Sequence, residues 1–266
     1  MLVSLTTWTA AQSEKLSNVD LCNGKEQASA ESRINGCTAI IKTNVDNAKV
    51  LAIAHNNRGN AFTSKGQYEL AIADYDESIN LDANEAKTFN NRGVAYQKKG
   101  DLDRAIEDFG AAINIDKNYY VAFANRAETY LKKHDYAHAS QDFDDAIRLK
   151  PSFAVLLNER CWTRAIIGNL QEALADCNEA LRLEPNVGAT LDSRGLAYLK
   201  LGQWNLAIAD FTSALGLDAK LASARYGLGF AKLKRGDLAG GNADIAAAKA
   251  LEPNIVEEFA RYGLRQ

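Results

Sequence analysis

The chain has 266 residues, 47% of them hydrophobic, enough to bury a sizeable core in one large or two ordinary domains. Its 31 basic residues face 34 acidic ones, a formal charge of -3 without any block of like charges, so it lacks the electrostatic footprint that nucleic acid or an anionic membrane requires. No run of eighteen apolar residues is present to span a bilayer, and three prolines among abundant Ala, Leu and Ile predict an all-α protein.

The first residues, MLVSLTTWTAAQ, are mildly apolar and end in Thr9-Ala10-Ala11, small residues of the kind found at a signal-peptidase site. A basic leading region is missing and the apolar stretch is short, so residues 1–17 fit two readings, an export-signal remnant and a frayed terminus. Residues 18–51 read as a degenerate helical unit. Its second helix is RINGCTAIIKTN, 33–44, and the step to the next unit is about four residues longer than the regular one. That places a stretched helix or a loop around Asp46 to Lys49.

Residues 55–62, HNNRGNAF, return as FNNRGVAY at 89–96, and the same 34-residue step continues from Gly59 and Gly93 through Ala127, Cys161, Gly195 and Gly229. With this residue as position 8, six units start at Ala52, Ala86, Tyr120, Ala154, Gly188 and Ala222 and fill 52–253. Small residues recur at position 20 (Ala71, Ala105, Ala139, Ala173, Ala207, Gly241) and at position 27 (Ser78, Ala112, Ala146, Ala180, Ala214, Ala248). Position 24 is large in most units (Tyr75, Phe109, Phe143, Phe211, Ile245), the alternation that lets helices approach and fill the space between them. Gly66, Gly100, Gly168, Gly202 and Gly236 occupy position 15, where a helix ends in the left-handed conformation, with His134 the exception. A polar residue follows each, and Asp101, Asp135 and Asp237 are good N-caps for a second helix. Pro151, Pro185 and Pro253 separate units. Residues 254–266 are expected to cap the array through the amphipathic segment NIVEEFARYG.

Small at 8, aromatic at 11, small at 20, aromatic at 24, small at 27 and proline at 32 resembles the tetratricopeptide repeat, a helix-turn-helix unit. The resemblance covers 52 to about 253 and implies a right-handed superhelical solenoid of antiparallel helix pairs with a concave groove, a non-catalytic scaffold for a protein or peptide partner. The sequence departs from that pattern at Arg164 and Lys232 (position 11) and at Lys249 (position 28).

In that family the groove is lined from the first helix of each pair. The resemblance therefore nominates Asn56, Asn57 and Asn60, Asn90 and Asn91, Asn125 and Glu128, and Asn158 and Trp162. Asn57, Asn91 and Asn125 share position 6 and resemble the asparagine ladder of protein O-glycosyltransferases; each amide offers a donor and an acceptor to a peptide backbone. Such contacts contribute about 0.5–1.5 kcal/mol each against the roughly 8 kcal/mol of micromolar binding, so apolar anchors such as Val121, Val155 and Trp162 must supply the rest. The alternative is that tandem duplication copied the asparagines without a ligand. The acidic-tail clamp of heat-shock co-chaperones wants lysine at position 5, where Asn56 stands, and that partner is not carried over.

Cys22 and Cys37 resemble the paired cysteines that open exported bacterial proteins of this family. A Cys22–Cys37 disulfide would put the chain in the periplasm or outside the cell, whereas two free thiols would suit the cytoplasm. Cys161 and Cys177 occupy core slots 8 and 24 and need no oxidation there. Arginine recurs at position 7 (Arg58, Arg92, Arg126, Arg160, Arg194) and aspartate at position 23, which reads as repeated structural ion pairing.

No nucleophile elbow, phosphate loop or zinc-protease motif occurs, and no catalytic residue, metal ligand or cofactor is nominated. His134 and His138 lack a third ligand, and Lys232 breaks the GxG that begins at Gly227. The leading reading is a peptide- or protein-binding scaffold; the alternative is an assembly protein that self-associates through the ends of its array.

Overall fold

The computed structural model describes residues 17–25, 28–43 and 46–265. Residues 1–16, where the sequence suggests an export-signal remnant or a frayed terminus, lie outside them. Among the described residues there are fifteen α-helices and no strand. The chain divides into two compact units, one ending at Lys99 and the other beginning at Gly100.

The first unit contains α1 (Asn18–Cys22), α2 (Ala30–Lys42), α3 (Ala48–Ser64), α4 (Tyr68–Leu81) and α5 (Ala86–Lys99). The extra residues ahead of Ala52 form an added helical turn: α3 starts at Ala48, and the Asn47 side chain caps it by accepting from the Val50 amide at 3.2 Å. Cys22 and Cys37 are joined by a disulfide, with their Cα atoms 4.6 Å apart, and tie α1 to α2.

The second unit contains α6 (Leu102–Ile115), α7 (Tyr120–Lys132), α8 (Tyr136–Leu149), α9 (Ala154–Ile167), α10 (Leu170–Leu183), α11 (Gly188–Lys200), α12 (Trp204–Leu217), α13 (Ala222–Lys234), α14 (Leu238–Leu251) and α15 (Ile255–Arg261). Asp101, Asp135 and Asp237 cap second helices, each accepting from the backbone amide three residues on. His134 takes the left-handed conformation that glycine supplies at the same turn elsewhere, with φ at 60°. Cys161 and Cys177 are also bonded, their Cα atoms 5.5 Å apart, which corrects their assignment to packing alone. Positions 8 and 24 face each other across a helix pair, so two cysteines placed there come within bonding reach.

Within each unit the core follows the small-and-large alternation. The alanines at positions 20 and 27, Ala105 and Ala112 among them, are fully buried. At Gly195 a Cβ would lie 2.7 Å from the Phe211 ring, so the glycine lets α11 rest against that aromatic.

The arginine and aspartate series form two-point ion pairs inside a helix pair: Arg58 with Asp74, Arg126 with Asp142, Arg160 with Asp176 and Arg194 with Asp210. Three arginines of the series reach back to the preceding pair. Arg92 meets Asp76 at 2.6 Å, Arg160 meets Asp144 at 2.8 Å and Arg194 meets Asn178 at 2.9 Å. The Asp-x-Asp spacing thus serves two neighbours, one carboxylate turned to its own pair and one to the next. The position-11 departures take part as well: Arg164 bonds Asp176 and Asp144, and Lys232 bonds Asp244 at 2.7 Å where Leu228 has replaced the usual arginine.

Candidate peptide-binding groove

In the first unit, the first-helix residues of successive pairs make a line of amides. Asn91 Nδ2 on α5 donates to Asn56 Oδ1 on α3 at 3.0 Å. Asn56 Nδ2 donates to Asn57 Oδ1 at 3.3 Å, and Asn57 Nδ2 donates to Asn23 Oδ1 at the end of α1 at 3.1 Å. These asparagines therefore hold neighbouring helices together, which uses part of the capacity a ligand would need. Each amide has two N–H donors and an acceptor oxygen, so part of that capacity remains.

Next to this line lies a cleft of about 260 Å³, lined by Asn60, Thr63, Ser64, Tyr75, Asn91, Val94 and Lys98. Asn60 Oδ1 accepts from the Tyr75 hydroxyl at 2.7 Å, and burial pushes that phenol up to about 12, so it stays a donor. Among the described residues nothing bonds Asn91 Oδ1, Asn60 Nδ2 or the exposed Lys98 ammonium. One acceptor and two donors are thus available beside the apolar Val94. A smaller cleft of about 180 Å³ brings Asn56 together with Lys87 and Ile53.

Asn90 corrects its place in the predicted lining. It is only 5% exposed, so at this repeat the side chain is enclosed rather than presented to solvent.

In the second unit, Asn125 and Glu128 lie on α7 and Asn158 and Trp162 on α9. Asn158 Oδ1 accepts from Ser193 Oγ at 2.8 Å, again a tie between successive first helices. Partial desolvation raises the Glu128 carboxyl above the usual range, opposed by Lys132. Burial raises Glu159 as well, and the negative charge of Glu128 adds to it. Among the described residues no three His, Cys, Asp or Glu side chains converge as a metal site.

Trp162 is the second correction. Its ring is met edge-on by Tyr262 at 5.7 Å between centroids and is half-buried, so part of the anchor face is already occupied by the C-terminal segment. Ile255 and Phe259 are each 1% exposed, and the Phe259 ring lies tilted against Tyr226 of α13, 4.6 Å between centroids. The sequence did hold a signal for this. Tyr226 and Phe230 put aromatics at groove positions 5 and 9 of the last unit, an apolar surface that needs a cover.

A family model described as TPR repeat matches residues 59–100 and 195–236, and two described as tetratricopeptide repeat match 86–119 and 120–153, together about half of the chain. No curated protein matches. Among solved structures, a tetratricopeptide repeat protein from Parabacteroides merdae aligns over 93% of this chain and 96% of its own at 17% identity, with a TM-score of 0.66. PilF of Pseudomonas aeruginosa aligns over 79% and 96% at 17% identity, with a TM-score of 0.62. YrrB, described as a TPR protein with an unusual peptide-binding site, aligns over 71% and 98% at 18% identity, with a TM-score of 0.54. At these identities the likeness is one of fold.

Proposed function

The chain belongs to the tetratricopeptide-repeat family, and from that premise we propose that it is a non-catalytic scaffold whose first-unit groove binds an extended peptide or protein segment. The observation that carries this reading is the cleft where Asn60 Nδ2, Asn91 Oδ1 and Lys98 have no partner among the described residues. The two amides suit a peptide backbone, and Lys98 suits an acidic side chain or a terminal carboxylate next to it. Two disulfides support an oxidising compartment, the bacterial periplasm or the exterior, as the place of action.

Affinity capture from the native compartment supplies the partner, and the purified partner is then titrated. Lys98→Glu breaks no described contact, so the melting temperature should hold while affinity falls by about fivefold or more. Unchanged affinity for a correctly folded Lys98→Glu chain rejects the cleft as the site.

A second reading, self-association, is favoured by one surface. Val19, Val50 and Ile53 are exposed around an apolar cleft of about 170 Å³ that also includes Ile40. Light scattering across a wide concentration range separates the two roles: a constant monomer mass removes the assembly reading.

A further inference from the structure

The second unit carries its own occupant. From α15, Ile255, Phe259 and Tyr262 project at i, i+4 and i+7 and are buried among residues of the repeat core. Phe259 packs on Tyr226 of α13, and Tyr262 lies edge-on to Trp162 of α9 and to Tyr136 at the start of α8. Arg261 Nη1 donates to His134 Nε2 at 3.3 Å, a contact spanning 127 residues of sequence. The terminal helix thus does more than cover the last repeat, because it runs back to side chains of the third and fourth repeats. This is how an amphipathic helix engages a groove, with a single stripe of apolar anchors.

Two features make α15 separable from the body. It is seven residues long, too short to persist as a helix without its anchors. A three-residue link, Glu252-Pro253-Asn254, joins it to α14, against which it packs over a much smaller face than α13 does.

We propose that the first-helix face of the second unit is a receptor for a short aromatic helix, that α15 is its resident occupant, and that a partner helix bearing the same apolar–Phe–Tyr stripe exchanges with it. This rests on the scaffold reading of the chain but not on the first-unit cleft. A tethered segment acts at an effective concentration of roughly 1 mM. Against a face of about 1 µM affinity, it would weaken an outside competitor about a thousandfold.

The probe is a fluorescein-labelled peptide of residues 252–265, followed by anisotropy on the full chain. Phe259→Ala with Tyr262→Ala should bind it at least about tenfold more tightly than the wild type, and adding Trp162→Ala should abolish the gain. Equal binding to the first two chains, or none to a double variant with wild-type circular dichroism, overturns the proposal. Should the double variant not fold, hydrogen exchange on the wild type decides. Amides of α15 exchanging about tenfold or more faster than those of α13 support release, and matched protection overturns it. Lys98→Glu leaves the anisotropy gain intact, so the two binding readings fail separately.

Discussion

Arg194 holds Asp210 at two points, Nε to Oδ2 at 2.7 Å and Nη2 to Oδ1 at 2.8 Å, and no other cation reaches that carboxylate among the described residues. The pairing raises the Arg194 guanidinium above its ordinary value, and Asp210 is 7% exposed. Arg194→Ala strands a buried charge and should cost about 3–5 kcal/mol. Arg160→Ala should cost less, because Arg164 still bonds Asp176 at 2.8 Å. Urea unfolding of the two variants checks the order, and equal losses would show that the second cation contributes nothing.

Asp192 gives the chain a pH dependence of definite sign. Complete burial pushes its carboxyl up to about 7 from 3.8, opposed by the hydrogen bond from Ser223 Oγ, and its Oδ1 has no partner. The folded state therefore holds a proton that the unfolded chain has already released. Stability from this group is full below about pH 4 and falls as pH rises to about 7, by up to roughly 4 kcal/mol. Asp192→Asn removes that slope. Urea midpoints at pH 5 and pH 8 should differ more for the wild type than for the variant, and parallel behaviour would place the proton elsewhere.

The repeat was legible because its contacts are local. A small residue at position 8 meets a large one at position 24 sixteen residues later, as Gly59 and Tyr75, Gly195 and Phe211, and Gly229 and Ile245 do. The ion pairs were legible for the same reason. What escaped the sequence lies beyond that frame. The contact between Tyr262 and Trp162 spans a hundred residues, and nothing in the spacing of either residue points to the other. Asn90 was misplaced because a family position names a face of the helix, whereas burial depends on how closely the neighbour packs. Cys161 and Cys177 were read by size, and a thiol in a small-residue slot fits as well free as bonded.

The second disulfide gives a chemical test of compartment and stability together. Mass spectrometry of the protein isolated from its native cells should show Cys22 linked to Cys37 and Cys161 linked to Cys177, and four alkylated thiols would defeat the oxidising-compartment proposal. The 161–177 bond closes a separation of 16 residues, and replacing both cysteines by alanine should lower stability by about 2–4 kcal/mol.

Two glycines on adjacent helices separate packing from propensity. At Gly195 an added Cβ would sit 2.7 Å from Phe211 Cε1 and 2.8 Å from Cδ1, so the ring or the helix must shift. Gly195→Ala should destabilise by about 1–3 kcal/mol, the range for overpacking a filled core. At Gly216, in the last turn of α12, nothing lies within 4 Å of the same added atom. Gly216→Ala should therefore stabilise by about 0.5–1 kcal/mol through its lower cost in backbone entropy. Thermal melts of the two variants should move in opposite directions. A rise for Gly195→Ala would mean that α11 and α12 do not approach as closely as the Gly195–Phe211 contact requires, and the small-residue frame of the repeat would lose its physical basis.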